Sequence, residues 1–151
     1  MVKVLMGLLV TVGVGCASDL SPIRSWSGSC DVGDIHVKVE TGFKTELDCQ
    51  ALARSIASDR AKFELAFGAV EVDDWHWHMV SDIDGYHSGM TYFGDKTVEL
   101  TTTTVVVHEL GHVTHGTGHP APWWCSMGKY EESLYFYSNG NENGYLTECP
   151  P

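Results

Sequence analysis

Residues 89–112 read GMTYFGDKTVELTTTTVVVHELGH, and a change of period inside that stretch decides the fold. Gly89 to Phe93 and Thr97 to Leu100 are short, β-prone runs joined by a turn at Gly94-Asp95, so they read as two strands. From Thr104 the apolar positions recur at helical spacing instead. Val106, Leu110 and Val113 share one side, and Thr104 stands where a helix cap belongs.

Working outward, Asp34 to Glu40 alternates cleanly, with Ile35, Val37 and Val39 on one face and His36, Lys38 and Glu40 on the other. That is the pattern of a half-buried strand. A helix is expected from Thr45, with Asp48 as a capping partner. Its apolar positions Leu52, Ile56, Phe63 and Phe67 run to a stop at Gly68. Val70 to Val80 reads as another strand, with Trp75, Trp77 and Met79 on one face. Its alternate residues Asp74, His76 and His78 are expected to face solvent or to be satisfied by hydrogen bonds. Ser18 to Gly33, rich in Ser, Gly and Asp, reads as a leader into the fold. No internal repeat is present. The sum is an α/β (α+β) layout: a small, mixed, twisted sheet, one backing helix and one helix that carries the chemistry.

That second helix contains His108-Glu109-Leu110-Gly111-His112. Residues four apart lie nearly above one another on a helix, so both imidazoles can meet one metal from one face. Imidazole nitrogen suits Zn²⁺, and Glu109 lies close enough to serve a water on that metal without being a ligand. A chance His-Glu-x-x-His in a chain of this length is on the order of 0.5%, which favours a metal site over a helix face that merely carries histidines. A catalytic zinc has three protein ligands and one open position. Three sources for the third ligand stay open: His115 on the same helix, His119 after Gly116-Thr117-Gly118, and Glu131 or Glu132 further on. The glycines permit the positive φ angles that end a helix and turn a chain back.

His108-Glu109-Leu110-Gly111-His112, a following glycine and a later His119 resemble the zinc signature of the metzincin metallopeptidases. Cys125-Ser126-Met127-Gly128 is similar to the Met-turn of that clan, and the distance from His119 to Met127 resembles the matrixin branch. The resemblance is specific only between His108 and Met127. It implies a metzincin-like fold, an edge strand for substrate at Gly89 to Phe93, and zinc held by His108, His112 and His119. Glu109 is then the catalytic base, and Tyr130 a catalytic residue helping to stabilise the oxyanion. One departure stands out: His119 follows His112 by seven positions where the family has six. The turn therefore carries one extra residue, or the third ligand lies elsewhere. A gluzincin-like site completed by a glutamate and a non-catalytic zinc-binding envelope lipoprotein are the alternatives.

Lys3, the apolar run from Val4 to Val14 and the small residues Gly15-Cys16-Ala17 have the layout of a secretory signal peptide. The Val-Gly-Cys ending resembles a bacterial lipobox, which implies a lipid on Cys16 as the route to membrane attachment; cleavage after Ala17 is the other route. Residues 1–17 are thus read as the signal peptide region, cut before Cys16 on the first route and after Ala17 on the second, with 18–151 as a single zinc metallopeptidase domain, exported to the cell envelope or secreted. Of five cysteines, both routes take Cys16 out of disulfide chemistry. The remaining four allow three connectivities, among which sequence does not choose; loop closure favours Cys30–Cys49 and Cys125–Cys149. The net charge of −11 argues against nucleic acid, because a phosphate backbone is repelled by it. The expected partner is a protein or peptide substrate, and the expected state is a monomer.

Overall fold

The computed structural model describes residues 17–18 and 20–118 of the chain. Cys16, His119, Cys125, Met127, Tyr130, Glu131, Glu132 and Cys149 lie outside the described residues, as does most of the expected signal peptide. Among the described residues no helix is long and apolar enough to cross a membrane.

The expected α/β class is the one observed. Six strands form one mixed sheet: β1 (Ala17–Ser18), β2 (Trp26–Val32), β3 (Ile35–Glu40), β4 (His76–Met79), β5 (Gly89–Tyr92) and β6 (Thr97–Leu100). Their spatial order is β1-β5-β6-β4-β3-β2. Two helices complete the layout, α1 (Cys49–Phe67) and α2 (Val106–His115). Neighbours β2 and β3, and again β5 and β6, are antiparallel; β3, β4 and β6 run parallel. Parallel neighbours need a long crossover, and α1 supplies it between β3 and β4.

The alternation of β3 is fulfilled by burial. Ile35 and Val37 are buried under α1, and Trp77, Met79, Val98 and Leu100 continue that face across the parallel strands. Helix α1 adds Leu52, Ala53, Ile56 and Phe63. Val106 and Leu110 of α2 join the same core, and Val113 packs against it. Burying a large aliphatic or aromatic side chain contributes about 1.5–3 kcal/mol, so this shared face accounts for the layering.

Several boundaries differ from the sequence expectation. The Ser18–Gly33 leader contains the end of β1 and the whole of β2. β2 is hidden in sequence because Ser27, Gly28 and Ser29 interrupt any apolar alternation, and its register slips between Trp26 and Gly28. Pairing with β3 and a Cys30–Cys49 disulfide hold it, with Cα atoms 5.9 Å apart. Helix α1 starts at Cys49 rather than Thr45. The Asp48 carboxylate is the cap, accepting from Ala51 N–H at 2.7 Å, whereas Thr45 only closes a local turn to Leu47. Gly68 ends α1 as expected, with φ 93°. The strand expected over 70–80 shortens to β4; Val70, Val72 and Trp75 are buried without extending it. The cap before α2 is Thr102, not Thr104: its hydroxyl accepts from Thr104 N–H at 3.3 Å and starts a short 3₁₀ turn over Thr103–Val105. Nor is β5 a bare edge, since Ala17 and Ser18 pair in parallel with Thr91 and Tyr92.

The face of the sheet away from the helices is polar and tied down by Arg24. Its guanidinium donates to both oxygens of the fully buried Glu99, at 2.6 and 2.8 Å, and to Glu40 at 2.8 Å. It also donates to the carbonyl of Asp82 at 3.0 Å. Glu40 accepts in addition from Ser81 N–H at 2.7 Å. These bonds fix the segment before β2 and the loop before β5 to the same point of the sheet.

The disulfide joins the second strand to the first residue of α1 across a separation of 19 residues. A loop of that size implies about 3 kcal/mol of stabilisation, chiefly through the unfolded chain. Urea unfolding of a Cys30→Ala, Cys49→Ala double variant should show a loss of that order, with cooperativity retained.

Candidate metal centre

The site grows from α2 lying over the β5 end of the sheet. Val106 and Leu110 fasten one side of the helix in the core, which commits the remaining inward positions to His108, Glu109 and His112. All three are buried, at 3%, 1% and 0% exposure. Polar groups so enclosed must be compensated, because burial without a partner costs several kcal/mol.

His108 and His112 point their rings together. Their Nε2 atoms are 3.2 Å apart, with ring planes inclined at 75°. Two nitrogens bound tetrahedrally to one zinc at about 2.0–2.1 Å are themselves about 3.3 Å apart, so the observed spacing fits a shared metal. The tautomers follow from the surroundings. His112 Nδ1 lies 3.1 Å from the carbonyl oxygen of Gly116 and donates to it. His112 Nε2 is therefore an acceptor, and His108 Nε2–H donates to it. A backbone carbonyl behind a ligand histidine is the usual way its ring is oriented and its ligating nitrogen freed of a proton. Burial pushes the His108 imidazole down to about 4, which keeps it neutral; its proton would have to move to Nδ1 for Nε2 to bind a metal.

Gly116 also ends the helix. Its N–H bonds the carbonyl of His112 at 2.7 Å, and its φ is 90°. Gly118 follows with φ 69°. The expectation that these glycines stop the helix and turn the chain is met directly before His119, which itself lies outside the described residues. His115 is the last helical residue, half-buried, with burial lowering its proton affinity. Among the described residues no three His, Cys, Asp or Glu side chains form a group able to hold a metal. The described residues thus bring two imidazoles together, and the third-ligand candidates His119, Glu131 and Glu132 and the oxyanion candidate Tyr130 fall outside them.

Glu109 occupies the first turn of α2, where the helix N-terminus favours a negative charge. Its carboxylate accepts from Thr91 Oγ1 on β5 at 2.6 Å. Sequence reasoning passed over Thr91. The signal was present all the same: Gly89 and Thr91 are two apart on a strand, so they share a face, opposite Met90 and Tyr92.

The other histidines stay apart from this centre. His76 is exposed, as expected for its strand position. His78 departs from expectation: it is 7% exposed, its ring lies tilted against the Trp26 ring with centroids 4.2 Å apart, and among the described residues neither ring nitrogen has a hydrogen-bond partner. His87 pairs with Asp84 at 2.6 Å in the loop before β5. His36 pairs with Asp31 at 2.7 Å.

No family model, curated protein or solved structure matches this chain.

Burial, followed by the nearby charges of Lys38 and His76, lowers the His78 imidazole to about 4. The unfolded chain binds its proton near 6.5, so between those values the unfolded state holds more protons than the folded one. Stability is whole above pH 6.5 and is lost as pH falls towards 4, by roughly 3 kcal/mol for this one group. His78→Phe keeps the ring against Trp26 and should flatten that part of the profile. Denaturant unfolding at a series of pH values from 7 to 4 makes the comparison.

Proposed function

We propose that this chain is an exported zinc-dependent endopeptidase of metzincin-like type, with Glu109 as its general base. The observation that carries the reading is the pair of buried Nε2 atoms 3.2 Å apart on one helix, with a carboxylate on the residue beside the first. A zinc-storage or structural site has no use for that carboxylate, which must be desolvated to be there. The turn at Gly116 and Gly118, just ahead of His119, favours His119 as the third ligand over a further residue of the helix.

His108, His112 and a third ligand would hold zinc, which when bound would supply a Lewis acid and an activated water. Glu109 would serve as the proton acceptor of the reaction and as the donor to the leaving amine. His112, oriented by the Gly116 carbonyl, and His108, kept neutral by burial, hold the metal side of the site in one geometry. Tyr130 is assigned to the oxyanion. The leader with Cys16 assigns the protein to the cell envelope through a lipid, or to secretion if cleavage follows Ala17. The substrate class is a protein or peptide, and the working state is a monomer.

Two variants test the assignment on purified mature protein. Glu109→Ala should keep one zinc per chain and lose peptide hydrolysis by at least about 10³-fold, since it removes the proton acceptor. His112→Ala should lose the metal itself. Turnover of a labelled peptide by Glu109→Ala refutes the catalytic role, and one stoichiometric zinc surviving in His112→Ala refutes the ligand. Zinc binding without any hydrolysis by the parent chain would instead support a non-catalytic envelope protein.

A further inference from the structure

Strand β5 meets the carboxylate of Glu109 twice, and neither contact belongs to the helical motif. Thr91 Oγ1 donates to Glu109 Oε2 at 2.6 Å, a short charge-assisted bond between two buried residues. Gly89, two residues earlier on the same face, leaves the space into which the carboxylate fits. A Cβ built at Gly89 would overlap Glu109 Oε1 and stand 2.8 Å from Cδ and 2.9 Å from Cγ. The backbone there is ordinary strand, so the glycine is required for close approach and not for an unusual φ.

We propose that β5 is the positioning strand of the general base, with Thr91 the positioning residue that orients the Glu109 carboxylate and Gly89 the clearance that admits it. The proposal rests on the reading of Glu109 as the base. A glutamate has three side-chain torsions, and helix α2 fixes only where its chain begins. Its carboxylate must nevertheless be held within about 0.5 Å of the working position to take a proton efficiently. Thr91 engages Oε2 while the backbone of Gly89 lies beside Oε1, so the strand contacts both oxygens. A displacement of about 1 Å can cost on the order of 10²-fold in rate.

Two near-isosteric changes separate positioning from space-filling. Thr91→Val keeps the shape and removes the O–H; Thr91→Ser keeps the O–H and removes a methyl. In the zinc-loaded enzyme, Thr91→Val should lower kcat by on the order of 10²-fold with KM and zinc content unchanged, and Thr91→Ser should restore most of it. Gly89→Ala should also lower kcat, with unfolding still cooperative. A second measurement needs no activity. In metal-free protein, Thr91→Val should lower the urea midpoint of the parent clearly more than it lowers that of Glu109→Ala, because only the parent has the bond to lose. Parent-like kcat in Thr91→Val, or a Thr91→Ser enzyme as impaired as the valine variant, overturns the positioning role. Equal midpoint shifts in the two backgrounds overturn the contact. A parent that binds zinc and hydrolyses nothing overturns the peptidase reading, and Thr91 then has no base to position.

Discussion

A carboxylate and two imidazoles are held almost without solvent between the end of a sheet and a ten-residue helix, and that burial constrains everything near them. Charged or polar groups enclosed in protein must find partners, or they move the fold apart. Glu109 is placed in the first turn of α2, where the helix dipole favours it, and takes a hydroxyl from Thr91. His112 gives its Nδ1 proton to the carbonyl that the helix leaves open at Gly116. The helix can be short because its termini do part of the compensation. Its stop at Gly116 supplies the acceptor for His112, and the small residue at position 89 leaves room for the carboxylate.

The opposite face of the sheet solves a second desolvation problem with a different device. Glu99 lies opposite the helices and has no solvent contact, and Arg24 reaches it from outside the sheet with two parallel hydrogen bonds. Such a fork offsets burial only with good geometry and additional bonds, and Tyr92 contributes one from its hydroxyl at 3.3 Å. The pair raises the proton affinity of Arg24, while the buried Tyr92 beside Glu99 is likewise pushed upward. Arg24 also touches Asp82 and Glu40, so the loop that leads into β5 is fixed by the same residue. The strand that contacts Glu109 is thereby anchored at its entrance as well as by its hairpin partner β6.

The elements that were legible in the sequence are those whose patterns are local. β3 shows its alternation in seven consecutive letters, and α1 shows its core face from Leu52 to Phe67. The motif on α2 declares itself because four residues make one helical turn. The structure departs from those local patterns where two parts of the chain decide together. Thr45 and Asp48 are both good caps in isolation, yet the helix begins where Cys49 is bound to Cys30. β2 has no apolar alternation of its own and exists by pairing with β3. His78 reads as a solvent-facing partner of His76, but the Trp26 ring that covers it comes from a strand not visible in the pattern.

Sequence alone determined the α/β class, the core faces of β3, α1 and α2, and the pairing of two imidazoles one turn apart, and it favoured the disulfide from Cys30 to Cys49 that the structure contains. Each follows from a short-range period or from a loop short enough to close. Only the tertiary structure decided how the sheet is ordered, that β1 covers part of β5, and that Thr91 and Gly89 meet Glu109. Those contacts join residues far apart in the chain, and nothing in a linear spacing encodes the direction in which a buried carboxylate turns once a strand and a helix are packed face to face.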